Sequence, residues 1–79
     1  MTPAEKRAMY LDHLTKGECA IALGHEHIAK QRAIIAQLES DGHDVSEAVD
    51  LLNTLLETQS MHEAHRETIL SELKELDAP

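Results

Sequence analysis

Ser40-Asp41-Gly42-His43-Asp44 interrupts a chain that otherwise has the composition of long helices. Gly42 can adopt the left-handed backbone conformation that ends a helix, because glycine has no Cβ to oppose it. Two helices joined by so short a turn must run antiparallel. The stretch therefore predicts an all-α, coiled-coil-like helical hairpin that forms a single domain over residues 1–79, with helices over about 3–40 and 45–76 and a turn over about 41–44.

Both helices begin with a capping signature. The segment that opens the chain is Thr2-Pro3-Ala4-Glu5; its threonine is the expected N-cap, its proline takes the first helical position and its glutamate completes a capping box. Asp44 is the expected N-cap of helix 2, with Glu47 reaching back to its backbone N–H and Ser46 as a competing cap. A helix that starts this early leaves no room for a cleavable signal peptide, so we expect none.

The composition favours long helices over strands. Tyr10 is the only aromatic residue, and the two prolines stand near the ends of the chain. No apolar run approaches the roughly 20 residues of a membrane span, so we expect no membrane contact. Cys19 is the only cysteine and cannot form a disulfide within the chain, which favours a reducing, cytoplasmic location.

Charge is unevenly distributed along the chain, whose net charge is −8. The first forty residues contain five acidic and five basic side chains, whereas ten acidic side chains and only two basic ones, Arg66 and Lys74, follow from Asp41 onward. Nucleic acids and anionic lipids attract the opposite sign of charge, so we expect no nucleic-acid partner. The acidic second helix is a solvated surface or a docking surface for a basic partner.

Helix 1 repeats its residues at the spacing of a coiled-coil seam. The positions that recur every three or four residues form the a and d sites: Tyr10, Leu14, Gly17, Ile21, Gly24, Ile28, Gln31, Ile35 and Leu38. Ala20, His27 and Ile34 flank this seam. Glycine costs about 1 kcal/mol against alanine inside a helix, so we expect Gly17 and Gly24 to let the partner helix approach closely or to admit a bulky side chain, rather than merely to soften helix 1.

Helix 2 has apolar ends and a polar middle. Its seam reads Val45, Ala48, Leu52, Leu55, Gln59, His62, Arg66, Ile69, Leu73 and Leu76. Folding the chain about Gly42 places Gln59 level with His27, and by the same register His62 lies level with Gly24. We therefore predict a polar belt at one level of the hairpin, with side chains that bond to each other or to water: His27, Gln31, Gln59, His62 and Arg66.

Arg66 is the most unusual seam residue, because a guanidinium at a packed position needs an acceptor. The same register places it level with Ala20. The candidate acceptors are Glu18, Gln31, Glu63 of a second chain, or a bound anion. The common outcomes are an ion pair or a side chain that extends to water.

The apolar stripes on both helices are wider than a two-helix contact can cover. A single hairpin buries its side chains on one side only, whereas two hairpins packed as a four-helix bundle bury both layers. We therefore predict a homodimer. The residues expected at the dimer interface are Ile28, Ile34, Ile35, Leu52, Leu56 and Leu70.

Six histidines are many for 79 residues. Two histidine-rich segments come to similar levels in a hairpin, and they offer an alternative zinc site made of His27, His62, Glu63 and His65. The other interpretation is a belt that fixes the register without metal, with His25 and His65 in water. The His-Glu-x-x-His motif is absent, and Cys19 has no base beside it. We expect no catalytic residue, no cofactor and no enzymatic activity.

Two resemblances bear on function. His25-Glu26 resembles the exposed histidine and following acidic residue of histidine-kinase dimerisation and phosphotransfer domains, which implies a phosphoacceptor; the proline usual within the next turn is missing, and no ATP-binding domain is predicted. The runs His27-Ile28-Ala29-x-Gln31, Gly42-His43-Asp44 and His62-x-x-His65-Arg66-x-x-Ile69-Leu70 resemble small bacterial helical proteins of under a hundred residues without an assigned activity. This second resemblance implies the same fold and size.

These features predict a small cytoplasmic, non-enzymatic interaction or regulatory protein that dimerises. A metal- or ligand-binding bundle that uses the histidines is the first alternative, and a histidine phosphoacceptor is the second. A further protein partner of unknown identity is compatible with all three interpretations.

Overall fold

The computed structural model describes residues 1–79 as two antiparallel α-helices and no strand, which confirms the predicted all-α hairpin. Helix α1 spans Pro3–Ser40 and helix α2 spans Ser46–Asp77. The helices lie side by side in a rod with extents of 60 × 17 × 14 Å. The rod is therefore one helix layer thick along its whole length.

The start of α1 shows half of the predicted capping box. Thr2 is the N-cap, and its Oγ1 accepts a hydrogen bond from the backbone N–H of Glu5 over 3.1 Å. The carboxylate of Glu5 accepts from the Thr2 hydroxyl, also over 3.1 Å, rather than from the Thr2 backbone N–H. Pro3 occupies the first turn, where its missing N–H costs nothing because that position has no helical acceptor.

The end of α1 is closed by a Schellman motif centred on Gly42. The backbone N–H of Gly42 donates to the carbonyl oxygen of Glu39 over 3.1 Å, and that of His43 donates to Leu38 over 2.9 Å. This pair of bonds requires a left-handed residue between them, and Gly42 has a φ of 76°. The glycine therefore acts as the sequence predicted.

The start of α2 differs from the expected cap. The N-cap is Val45, which makes no side-chain capping bond, so the assignment of Asp44 as N-cap was wrong by one residue. Asp44 Oδ1 accepts from the backbone N–H of Ser46 over 3.0 Å and from its hydroxyl over 2.7 Å, and Glu47 makes no bond to Asp44. A turn between an aspartate and the second residue after it satisfies the first helical N–H without the aspartate entering the helix.

Two bonds from one serine stabilise the ionised form of Asp44. The Ser46 hydroxyl, followed by the Ser46 backbone N–H, lowers the pKa of the Asp44 carboxyl below its usual value. The contribution of Asp44 to stability is therefore present above the unfolded-state pKa, and it is lost as the pH falls through the lower folded-state pKa.

The helices meet along the predicted seam. Every a and d residue named above for either helix is buried or half-buried. Only five residues of the chain are buried, and three of them are apolar, namely Ile28, Ile69 and Leu73. The other two are Gln31 and Gln59. The hairpin therefore has a narrow core in which polar side chains take central places.

The open end of the hairpin is joined by an ion pair. Arg7 Nε lies 3.2 Å from Asp77 Oδ1, and about half of each side chain is exposed. Exposed pairs of this kind contribute about 0–1 kcal/mol to the free energy of unfolding.

Neither helix contains a stretch that is both long and apolar enough to cross a membrane.

Replacement of Gly42 tests the turn. A Gly42→Ala variant should lower the free energy of unfolding by about 1–2 kcal/mol, because an L-residue is strained in the left-handed region. Gly17→Ala is the matched control: Gly17 lies inside α1 and an added Cβ would meet nothing within 4 Å. The control should raise stability by about 1 kcal/mol. Urea denaturation at a fixed chain concentration measures the free energy of unfolding of both variants. If both substitutions changed it in the same direction, the left-handed role assigned to Gly42 would be contradicted.

Removal of the Ser46 hydroxyl tests the second turn. In Ser46→Ala the pKa of Asp44 should rise towards its usual value, because the largest stabilising bond to the carboxylate is lost. Titration of the carboxyl carbons by NMR measures this change. The pKa of Asp12 is lowered by its own hydrogen bond and ion pair with Lys16, and it should not move. An unchanged Asp44 pKa would show that the serine does not hold the turn.

Candidate functional site

Two glutamines connect the helices through the main chain. Gln31 of α1 donates from Nε2 to the carbonyl oxygen of Ala48 over 2.8 Å, and Gln59 of α2 donates from Nε2 to that of Ile21, also over 2.8 Å. Gln31 is 7% exposed and Gln59 is 5% exposed. A helical carbonyl has a second lone pair beyond the one used within its own helix, so it can accept both bonds.

Gly24 leaves the space that the Gln59 amide occupies. A Cβ built on Gly24 would lie 2.7 Å from Gln59 Cδ and would overlap Gln59 Oε1. That oxygen is buried and has no hydrogen-bond partner within the chain. The close packing predicted for Gly24 is therefore present, and the contacting group is an amide. Gly17 differs, since an added Cβ would meet nothing within 4 Å, and the prediction of close packing against helix 2 there was wrong.

The predicted polar belt is not a connected network. Gln31 and Gln59 bond to carbonyls on opposite helices, and those bonds lie eleven residues apart along α2, which corresponds to about 16 Å. Gln59 lies against Gly24 rather than level with His27, because the missing side chain of Gly24 leaves room for the amide about one turn before His27 along α1. His27 and His62 make no hydrogen bond.

Arg66 finds one of its predicted acceptors. Its Nε lies 3.4 Å from Glu18 Oε1 on α1, and its Nη1 lies 3.2 Å from Glu67 Oε1 on α2. The arginine side chain is 38% exposed. The guanidinium thus leaves the seam and joins the two helices at the surface. A groove of about 720 Å³ lies beside this pair, and Glu63 lines it together with Arg66 and Glu67.

Four of the six histidines line two cavities on the opposite side of the seam. A cavity of about 230 Å³ is lined by His27 and His62 together with Leu23, Gly24 and Gln59, among others. A neighbouring groove of about 340 Å³ is lined by His13, Lys16, Gly17, Ala20, His62 and His65. The two share Ala20 and His62, so they form one continuous depression. Nothing in the predicted belt included His13 or Lys16.

Positions seven apart along each helix define this side of the hairpin. We call it the histidine face; it carries Lys6, His13, Ala20, His27 and Ile34 of α1 and Leu51, Thr58, His65 and Glu72 of α2. The other side we call the ion-pair face; it carries Leu11, Glu18, His25, Arg32 and Glu39 of α1 and Val49, Leu56, Glu63, Leu70 and Asp77 of α2. The signal for the histidine face was in the sequence, because His13 lies one and two heptads before the flanking residues Ala20 and His27.

The residues of the alternative zinc site fall on both faces. His27, His62 and His65 line the depression on the histidine face, whereas Glu63 lines the groove beside Arg66. No group of three or more histidine, cysteine, aspartate or glutamate side chains in the chain could hold a metal ion. The phosphoacceptor candidate His25 is exposed, as are Glu26 and Cys19.

The six residues predicted at a dimer interface have three different environments. Ile28 is 7% exposed, because the hairpin itself buries it, and this leaves little of it for a second copy. Ile35, Leu52 and Leu70 are half-buried. Ile34 and Leu56 are 50% and 37% exposed, and they lie on opposite faces.

No protein-family model, no curated protein sequence and no solved structure matches the chain. The resemblance to small bacterial helical proteins therefore rests on the quoted residues alone. The function has to be argued from the geometry of the hairpin.

A double-mutant cycle tests the contact between Gly24 and Gln59. Gly24→Ala should lower the free energy of unfolding, because the loss of the buried amide bond, about 1–3 kcal/mol, exceeds the gain in helix propensity, about 1 kcal/mol. In a Gln59→Ala background the same change should raise stability by about 1 kcal/mol, since the overlap is gone. Urea denaturation of the four proteins gives the coupling energy. Equal effects in both backgrounds would mean that the glycine is not required by the amide.

Proposed function

We propose that this chain is a small non-enzymatic interaction or regulatory protein that assembles as a homodimer, with two hairpins packed as a four-helix bundle. The observation that carries the proposal is the incomplete core of the single hairpin. Only three apolar residues are buried, and none of them is fully buried, whereas seven large apolar side chains are exposed: Met1, Leu11, Leu23, Ile34, Leu51, Leu56 and Met61.

The surface area of the hairpin supports a missing partner. The chain exposes 5793 Å², whereas a compact monomer of 8.8 kDa exposes about 4,800 Å². The excess of about 1,000 Å² is close to the roughly 800 Å² that each protein contributes to a stable interface. A second copy would therefore cover the surface that the hairpin exposes beyond that of a folded monomer.

The shape of the chain supports the same conclusion. Its radius of gyration is 17.9 Å, whereas a compact domain of this length has about 12 Å. Two such rods packed side by side form a second helix layer, and half-buried seam residues such as Ile35 and Leu52 then gain contacts on their outer side.

The bonds made by the polar side chains at the seam support a structural role for these residues. Gln31 and Gln59 donate hydrogen bonds from their amides to main-chain carbonyls of the other helix, and Arg66 forms an ion pair with Glu18. The amide N–H groups and the guanidinium are thus bonded within the hairpin, where they fix how the two helices lie, and Gln59 Oε1 alone is buried without a partner. The proposal therefore assigns recognition to the exposed faces rather than to a catalytic centre.

Sedimentation equilibrium tests the assembly. At micromolar concentration the mass should be about twice the chain mass of 8.8 kDa, and the helical circular dichroism should fall on dilution as the dimer separates into less stable hairpins. A mass of one chain that remains fully helical on dilution would overturn the proposal. Because charged pairs hold only the open end and one face, 0.5 M salt should leave the dimer intact.

A further inference from the structure

The structure points to the histidine face as the surface on which the second copy packs. We propose that the two hairpins meet through this face and leave the ion-pair face in water. The inference rests on the proposed homodimer and adds to it which side of the rod is buried. Its support comes from the exposed apolar area, the placement of ion pairs and the depression on this face.

Exposed apolar side chains are concentrated on and beside the histidine face. Ile34 and Leu51 belong to it and are each 50% exposed. Leu23 is 48% exposed and lines the cavity with His27. On the ion-pair face, the exposed large apolar side chains are Leu11, which is 40% exposed, and Leu56, which is 37% exposed. Burial of the histidine face therefore removes more apolar surface from water for each residue covered.

The two faces also differ in their charges. Both ion pairs that join the helices, Arg7–Asp77 and Arg66–Glu18, use acidic side chains of the ion-pair face. Burying those groups would cost their hydration. No interhelical ion pair uses a side chain of the histidine face. The charged side chains of the histidine face itself are Lys6 and Glu72, one near each terminus of the chain. Lys16 and Lys30 lie beside it, and Lys16 pairs with Asp12 over 2.8 Å.

Imidazoles suit a buried interface near neutral pH. A histidine is the side chain that loses its charge in this range, and a neutral ring can be buried at far lower cost than a carboxylate or an ammonium. His13, His27, His62 and His65 all line the depression. Each ring keeps two nitrogens for bonds with the second copy. A surface that covers the depression can therefore form hydrogen bonds with these imidazole nitrogens.

The depression has the form of a receptor for side chains. Gly17, Ala20 and Gly24 line its two parts and fill little of them, because they have at most a methyl group. The volumes of about 230 and 340 Å³ accommodate side chains of leucine or methionine size. Projecting side chains of a second copy, such as Leu23 and Met61, the latter 71% exposed, are of that kind, so the face is complementary to itself.

Charge substitution on each face tests the inference. Ile34→Glu and Leu51→Glu place a carboxylate on the histidine face, and Leu11→Glu and Leu56→Glu are matched controls on the ion-pair face with similar starting exposure. The histidine-face variants should raise the dimer Kd more than about tenfold, because each places a charge in an apolar contact. The controls should change it less than about threefold. Sedimentation gives the Kd values, and circular dichroism reports whether each variant is helical.

The outcomes separate the two proposals. A wild-type protein that remains a monomer overturns both the homodimer and its face. A wild-type dimer that is dissociated by the ion-pair-face variants, or by both sets equally, overturns the face alone. The reverse pattern, with dissociation confined to Ile34→Glu and Leu51→Glu, supports the histidine face.

Thiol protection gives a test that does not depend on destabilising substitutions. In a Cys19→Ser background, Thr58→Cys places a thiol on the histidine face, and Ser60→Cys places one beside the groove near Arg66. Both positions are exposed in the hairpin. Labelling by a maleimide should be slowed more than about tenfold at Thr58→Cys above the Kd, relative to below it, and should stay unchanged at Ser60→Cys. Protection of Ser60→Cys instead would overturn the inference.

Discussion

Two buried amides fix how the helices of this hairpin lie against each other. Apolar contact is non-directional and tolerates a slide of one helix along the other. The bonds from Gln31 and Gln59 to the carbonyls of Ala48 and Ile21 do not. A slide would leave two buried donors without acceptors, at a cost of about 1–3 kcal/mol each. The space left by Gly24 and the meeting of Arg66 with Glu18 both depend on this one register.

Because polar side chains that fix the register occupy central positions of the seam, few positions remain for buried apolar side chains. Among the apolar residues of the hairpin only Ile28, Ile69 and Leu73 are buried, and the remaining large apolar side chains are half-buried or exposed along a thin rod. The faces divide the work between them. One carries the interhelical ion pairs, and the other carries exposed aliphatic side chains and imidazoles. In the proposed homodimer, the second copy would complete the core that the single hairpin leaves open.

Much of the fold could be predicted because its signals are local. Gly42 marks the turn, and the three- and four-residue spacing finds every seam position. The details at the site could not be predicted in the same way. Helical periodicity gives the side of a residue but not its height against the other helix, so Gln59 was expected level with His27 although it lies against Gly24. The start of α2 was missed for a related reason, since Asp44 satisfies the same backbone N–H from inside a turn as it would from a cap.

The reciprocal bonds of Gln31 and Gln59 also make the covalent turn partly redundant. The turn and the two amide bonds both favour the same antiparallel pairing of the helices. Each helix therefore carries side chains that can recognise the other helix without the turn. The link between them supplies mainly local concentration, which is in the millimolar range for short connections. Two copies that exchanged one helix each would keep every interhelical bond described here and differ only in the path of residues 41–45. The molecule is thus built from two complementary fragments, and domain swapping would be a change of connectivity that leaves its contacts intact.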